Sequence, residues 1–524
     1  MAIDRRDFLK SSPMALALAA SGAPLINGAF FASPAYAGSN KAISFLSAEN
    51  LTGNWDPSSH TTLGQINFEG FVFGYLTRAP MRPENPDELV MELAESMELL
   101  DEHTLQFKLK KGVTFHNGEP FTAADVKATF EYASGPDRPA QWYPGRVTVD
   151  VIDDHTANVN TKAHGYPASL FWFLSAFLPI MSAKDVANPA TLAQRPNGTG
   201  AFKFVRQDGN TSVLEANPDF VLGAPKVPGV NFTFVGDATT RMLSLLSGEA
   251  DIIERLEAEQ VETIEARGGF SLNKAVSVEN KYLWFRCSKP PFNDWRLRRA
   301  VAHSIDRDII LEVLGVSGTP SNAFISPVKF GYVDTPNYPK YDPELAQKFL
   351  AEAGFPGGRG LPKLEYITSV GFYPKTKEYG EVITALLQEQ GFDIEFSAME
   401  VAAWADRLYD RPGGGPGHMI DCGWATGSPE PDLVLRTHFH SSSKRITGIE
   451  DPELDALLDK ERNATDPAVR KKIIQEELMP ALADKVPAFS LFTSVFIHAY
   501  RDELKGMYIY PNGMMDAVNA TNEA

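Results

Sequence analysis

The sequence predicts a mixed α/β protein of two or three domains, and three observations carry that prediction. The chain has 524 residues, more than one hydrophobic core accommodates. Its composition is that of a globular protein, 43% hydrophobic and 22% charged. Short apolar strands alternate along it with amphipathic helices, with no internal repeat and no long low-complexity tract.

The first segment reads as an address. Arg5 and Arg6 are followed by Asp7-Phe8-Leu9-Lys10, then by a mildly apolar stretch from Pro13 to Phe31. It closes on Ala35-Tyr36-Ala37. A charged start, an apolar middle and a small-residue exit are expected of an export signal over residues 1–37. The string RRDFLK resembles the twin-arginine signal, which a receptor reads. Ser21, Gly22, Pro24 and Gly28 break the stretch too often for a membrane span. No Cys precedes Cys287, so no lipid-modified cysteine is expected at the cleavage point. The expected product is soluble, monomeric and periplasmic, without direct membrane insertion.

Charge narrows the partners. The net charge of -18 argues against nucleic acid and against adhesion to an anionic membrane. Cys287 and Cys422 are too few for a disulfide scaffold. Both a pair and two buried thiols remain open, because a bridge needs particular Cα spacing.

Local signals place the elements. Leu105, Phe107 and Leu109 alternate with Gln106, Lys108 and Lys110, the period of a strand with one buried face. Val113 and Phe115 are expected to resume it before the Asn117-Gly118 turn. Thr122 and Asp125 form a capping-box variant for a helix that buries Val126 and Phe130. Beyond Pro290-Pro291, residues 295–314 read as one helix, with Leu297, Val301 and Ile305 on its apolar side. Its arginines, Arg296, Arg298 and Arg299, read as a solvated or salt-bridged face. Asp342-Pro343 and Asp451-Pro452 each pair an N-cap acid with a Pro at the first helical position. Further helices are expected at 376–390 and 467–484, strands at 364–370, 392–398 and 418–424, and a loop at 411–417.

Five blocks resemble one family in order. They are LAESMELLDEHTLQFKLKKGVTFHNGEPFTAADVKATFEYA (93–133), NGTGAFKFV (197–205), RMLSLLSGEADI (241–252), PPFNDWRLRRAVAHSIDRDII (290–310) and YDPELAQKFLAEAGFPGG (341–358). Together they resemble the bacterial extracellular solute-binding proteins of family 5, which include the oligopeptide-, dipeptide- and nickel-binding receptors of ABC importers. The resemblance implies a two-lobe periplasmic-binding-protein fold of the large, cluster-C type. Lobe one would hold 38–282, with an extra subdomain near 85–190, and lobe two 283–485. Residues 486–524 would return to lobe one, and KYLWFRC (281–287) and VPAFSLFTSV (486–495) would be the crossover strands. The implied partners are a small-molecule ligand and the permease subunits at the inner membrane. No catalytic residue, cofactor or metal is implied.

The resemblance also proposes ligand contacts. HMIDCGWATGSPEPD (418–432) resembles the strand and loop that line the cleft of peptide binders, and Trp424 matches the aromatic found there. Trp55, in NWDPSS, resembles a family turn that reaches the cleft, and Trp404 offers a further flat surface or a helix core residue. Two departures matter. Peptide binders carry an Asp three residues after the Trp, to pair with the ligand's amino terminus, and here that residue is Gly427. The oligopeptide binder carries an Arg three residues before it, and here that residue is Asp421. An unpaired ammonium in a dry cleft is costly. The reading is therefore a sugar-like, opine-like or cationic ligand met by Asp421 and the tryptophans, with peptide-like ligands kept open and Glu430 or Asp432 as substitute amine partners.

The competing class is a secreted hydrolase. No Gly-x-Ser-x-Gly elbow or His-Glu-x-x-His helix is present, and Ser317 lacks the spacing. His438 and His440 would share one face of a strand, as metal ligands do, but with no third ligand nearby they read as exposed loop residues.

Overall fold

Leu105, Phe107 and Leu109 are buried, and Gln106 and Lys108 lie on the wetter face of their strand. The computed structural model describes residues 41–51, 53–59, 62–135, 145–409, 417–443 and 445–523. The export signal expected over 1–37 lies outside these residues, as does the loop expected at 411–417 except for Gly417. Strand order in the main sheet follows from fourteen labelled strands: β1 (Ile43–Ser47), β2 (Ala94–Asp101), β3 (Thr104–Leu109), β4 (Thr148–Asp153), β5 (Thr156–Asn160), β6 (Phe202–Asp208), β7 (Thr211–Ala216), β8 (Gly229–Phe234), β9 (Ile252–Ile253), β10 (Phe270–Phe285), β11 (Leu364–Val370), β12 (Ile394–Glu400), β13 (Met419–Trp424) and β14 (Ala488–Arg501).

Strands β2-β3-β5-β4 form an antiparallel sheet. Its helix, Ala123–Ala133, starts as the sequence predicts: the Thr122 hydroxyl accepts from the Ala124 N–H, and the Asp125 carboxylate accepts from the Thr122 N–H at 2.8 Å. Val113 and Phe115 are buried but do not resume the strand. Asn117-Gly118 turns the chain at once, with Gly118 at φ 87°, and leaves a single bridge between Thr114 and Pro120.

The main sheet runs β12-β11-β13-β10-β14-β9-β1-β8-β7-β6. Its two ends are joined by one antiparallel ribbon, β10 with β14. The first part of β10, Phe270 to Val276, pairs with Val495 to Arg501, and on that side Ile252 and Ile253 of β9 pair with Tyr500 and Ala499 of β14. The last part, Asn280 to Trp284, pairs with Ala488 to Thr493, and there β13 joins β10. Between them the register shifts from Val276 to Asn280, a bulge that leaves Ser277, Val278 and Glu279 outside the ladder. The crossing therefore occupies the predicted apolar runs but begins eleven residues before Lys281. Each half of the sheet keeps its own core. One gathers Leu283, Phe285, Tyr366, Ile420 and Phe489, and the other Leu46, Ile253, Ile264, Ile497 and Ala499.

The caps at 342 and 451 form as expected. Asp342 accepts from the Leu345 N–H, and Asp451 from those of Glu453 and Leu454. The helix expected over 295–314 is two helices, Trp295–Ser304 and Arg307–Leu314. Ile305 is extended between them, and Asp306 caps the second by accepting from the Asp308 N–H at 3.0 Å. The basic face is also corrected at one position. Arg298 is buried, and its guanidinium donates to the carbonyls of Phe292, Lys485 and Val486, closing a helix end that would otherwise leave acceptors unpaired. Cys287 and Cys422 are both buried free thiols. No helix among the described residues is long and apolar enough to cross a membrane.

Candidate functional site

The polar centre of the molecule lies beside the bulge in β10. Strand β13 runs antiparallel to β10, with Trp424 opposite Asn280 and Gly423 opposite Lys281. Gly423 has no side chain, and that space is taken by Glu279 and Tyr373: a Cβ there would stand 2.8 Å from the Glu279 carboxyl carbon and 3.0 Å from the Tyr373 ring. Tyr373 donates its hydroxyl to the Gly423 carbonyl and carries the Lys281 ammonium 3.1 Å from its ring centroid. Ser494 donates to Glu279 at 2.7 Å. Burial pushes the Glu279 carboxyl up, against the pull of Lys281.

Asp421 sits inside this arrangement, not on its surface. It is 0% exposed, its carboxylate is 2.9 Å from the Lys281 ammonium, and Tyr366 and Thr368 donate to it. A diagonal cross-strand pair has thus consumed the charge that the sequence reading offered to a cationic ligand. Trp404 is buried over the same network and donates its indole N–H to the Asp421 carbonyl at 3.2 Å. Trp55 is 6% exposed, with its ring 4.8 Å from Phe68 and 5.1 Å from Phe204, in the aromatic packing of the opposite half. Glu430 and Asp432 are buried as well. Arg470 holds Glu430 through two hydrogen bonds, and Arg436 donates to Asp432.

Trp424 is placed differently. It ends β13 half-buried, and its indole N–H is buried without an acceptor among the described residues. The His438 ring meets it edge to face at 4.3 Å, and the Arg445 guanidinium lies 5.0 Å over it. His438 is not an exposed loop residue, and no strand carries it. It is fully buried on the helix Asp432–Phe439, between Trp284 and Trp424. The apolar residues Leu433, Val434, Leu435 and Phe439 on that helix are its legible signal.

Gly427 lies where the two halves meet. A Cβ on it would stand 2.0 Å from a ring carbon of Phe177, and Asn512 donates to its carbonyl at 3.2 Å. Nearby, Phe173 packs on Phe330 at 4.8 Å and Lys471 reaches Asp87 at 2.7 Å. Lys329 braces the loop from below, donating to the carbonyls of Thr426 and Ser428, and burial brings its ammonium down to about 7. Lys281, Glu279, Tyr373 and Arg445 are not singled out by the sequence reading, and His438 enters it only beside His440, as an exposed loop residue. A lysine inside the otherwise apolar run KYLWF was the one local hint.

Buried histidines set an acid limit on this architecture. Burial drives His116 and His498 down to about 4 and His438 well below its usual value; Lys203, Arg255 and Arg445 push in the same direction, while the Gly200 carbonyl opposes at His116. The unfolded chain takes up these protons near pH 6.5, whereas the fold resists them until lower pH. The stability is thus fully present above about pH 6.5 and is lost as pH falls toward about 4, on the order of 3 kcal/mol for His498 alone. Urea midpoints are expected to drop between pH 7 and pH 4, and less steeply in His498→Leu.

The main sheet is thus two halves joined by one ribbon, with an aromatic and charged centre beside the junction. Residues 88–445 match the family described as bacterial extracellular solute-binding proteins, family 5 Middle. The chain belongs to this family, and it is a binding protein, not an enzyme. The glutathione-binding protein GsiB of Pectobacterium atrosepticum is 25% identical, over 94% of this chain and 96% of its own. The fold matches the crystal structure of the ABC transporter substrate-binding protein CtaP of Listeria monocytogenes with a TM-score of 0.81 at 20% identity, over 93% of this chain and all of that one. It also matches MoaA of A. tumefaciens R10, solved with mannopinic acid, with a TM-score of 0.73 at 23% identity, over 93% and 100% of the two chains.

Proposed function

We propose that this chain is the periplasmic substrate-binding protein of an ABC importer, exported by its twin-arginine signal, and that it presents a small organic solute to the permease. The observation that carries the reading is the single β10–β14 ribbon, whose bulge lies beside Trp424. Residues 38–282 and the return from 486 form one lobe, with a subdomain over about 85–190, and 283–485 form the other. The bulge at 277–279 is the hinge.

A ligand that touches both lobes only when they close selects the closed state. One that touches a single lobe shifts nothing. Micromolar binding supplies about 8 kcal/mol, enough to drive closure. The contacts of Gly427 with Phe177 and Asn512, and of Phe173 with Phe330, are the closed-state contacts in this reading. Trp424 is the ligand-facing aromatic. The relatives that bind glutathione and mannopinic acid support peptide-like or opine-like solutes as the ligand class, and sugar-like solutes remain in the test set.

The test is a thermal-shift screen of the mature chain against peptides, sugars, opines and metal chelates. The ligand is expected to raise the melting temperature with concentration, by the equivalent of about 2.7 kcal/mol at one hundred times Kd. Trp424→Ala is expected to remove the shift. An undiminished shift would take Trp424 out of the site, and turnover of any added compound would end the receptor reading.

A further inference from the structure

Arg445 has no counter-ion among the described residues. Its guanidinium lies 4.6 Å over the Tyr409 ring and 5.0 Å over the Trp424 ring, and it donates to the Tyr409 hydroxyl at 3.2 Å. No carboxylate among the described residues pairs with it. This is unusual for a half-buried arginine in a chain with 67 acidic residues. The buried acids of the polar centre and the loop after β13 are already engaged: Asp421 with Lys281, Glu279 with Ser494 and Lys281, Glu430 with Arg470, and Asp432 with Arg436.

Unused donors cluster around it. The Trp424 indole N–H is buried and unpartnered, and so are both ring nitrogens of His438. A neutral imidazole carries one N–H, so this corner holds one full positive charge and two further donors. The two rings hold the guanidinium within cation–π distance, and its one side-chain hydrogen bond among the described residues, to the Tyr409 hydroxyl, engages one of five N–H groups. The planar fork of an arginine suits two parallel hydrogen bonds to a carboxylate. A cationic or purely neutral ligand would leave that charge unmatched in the closed cleft.

From these contacts we propose that Arg445, lying over the Tyr409 and Trp424 rings, receives a carboxylate of the ligand, so that the transported solute is an organic acid. The proposal rests on the cleft-binding reading and narrows its substrate class. It replaces the cationic ligand suggested by Asp421 with the opposite charge.

The experiment is calorimetric titration of the mature full-length chain with three sets of probes. The acidic set is reduced glutathione, mannopinic acid and citrate. The neutral set is glucose and maltose, and the cationic set is putrescine and spermidine. Binding is expected in the acidic set alone. Arg445→Gln is expected to weaken it by about 10- to 100-fold, the scale of a lost charged hydrogen bond, with an unchanged melting temperature in the absence of probe. Arg445→Lys, which keeps the charge but loses the flat fork, is expected to fall between. Failure of every acidic probe to bind, binding of neutral or cationic probes instead, or an unchanged Kd in Arg445→Gln overturns the assignment. Acidic probes held as tightly by Trp424→Ala as by the wild type would remove the cleft reading itself, whatever Arg445 does.

Discussion

Arg470→Met is expected to destabilise the protein by about 3–5 kcal/mol, read from urea unfolding followed by circular dichroism. Arg470 is 3% exposed and serves two carboxylates at once. It donates to both oxygens of Glu430, at 2.6 and 2.8 Å, and to Glu461 at 2.9 Å. Burial already pushes the Glu461 carboxyl up, with Arg470 opposing the rise and Asp432 and Glu430 adding to it. Removing the arginine strands two acids in a dry interior, and that desolvation is the source of the loss. Adding Glu430→Gln and Glu461→Gln is expected to recover part of it, because the stranded charges go with them. Glu430 also accepts from the Asp432 N–H and anchors the segment that carries Gly427. The single variant is therefore expected to bind ligand more weakly as well.

On the proposed two-lobe reading, Gly427→Asp is expected to hold 38–282 and 283–485 apart. The substitution places in this chain the acid that peptide binders carry three residues after the tryptophan. Its Cβ would stand 2.0 Å from the Phe177 ring, which is itself buried in its own core. Overpacking of this kind costs about 1–3 kcal/mol. In the proposed cycle only the closed state has the clash, so ligand affinity is expected to fall by roughly 5- to 150-fold. Small-angle scattering should show a larger radius of gyration at a ligand concentration that closes the wild type. Phe177→Ala in the same chain is expected to restore closure. A doubly substituted protein that stays open would show that Phe177 is not what blocks the acid.

How much of this was legible depends on the sequence distance of each interaction. The Thr122–Asp125 cap, the Asp342 and Asp451 caps and the alternation at 105–109 are local, and the sequence reading matches the structure there. The helix break at Ile305 was also local but weakly marked, since Ser304 and Asp306 had to be read as a stop and a new start inside an apolar period. The centre was not legible. Lys281 and Asp421 are 140 residues apart, and only the β10–β13 register brings them together. Without that register, Asp421 reads as a free acid in a cleft loop. His438 looked polar and exposed because no sequence period shows that two tryptophans from distant strands enclose it. Arg445 lay next to a loop with no periodic signal at all. Gly427 was noticed as a departure from a pattern, but Phe177, the residue that fills its space, is 250 positions away.

The position of β14 constrains how the chain is made. This strand lies in the middle of the main sheet, between β10 and β9, yet it begins at Ala488, after nearly all the rest has been synthesised. Until it emerges from the ribosome, β9 and one side of β10 present unpaired edges to other nascent chains. Contacts such as Ile252 with Tyr500 close loops of about 250 residues, which slows the last step of assembly. A chain stopped at residue 486 would keep every described helix of the second half, the last of them Met479–Lys485, and still lack the strand that ties the halves together. Translational stalling late in the message should therefore yield aggregates instead of a half-sized binding domain.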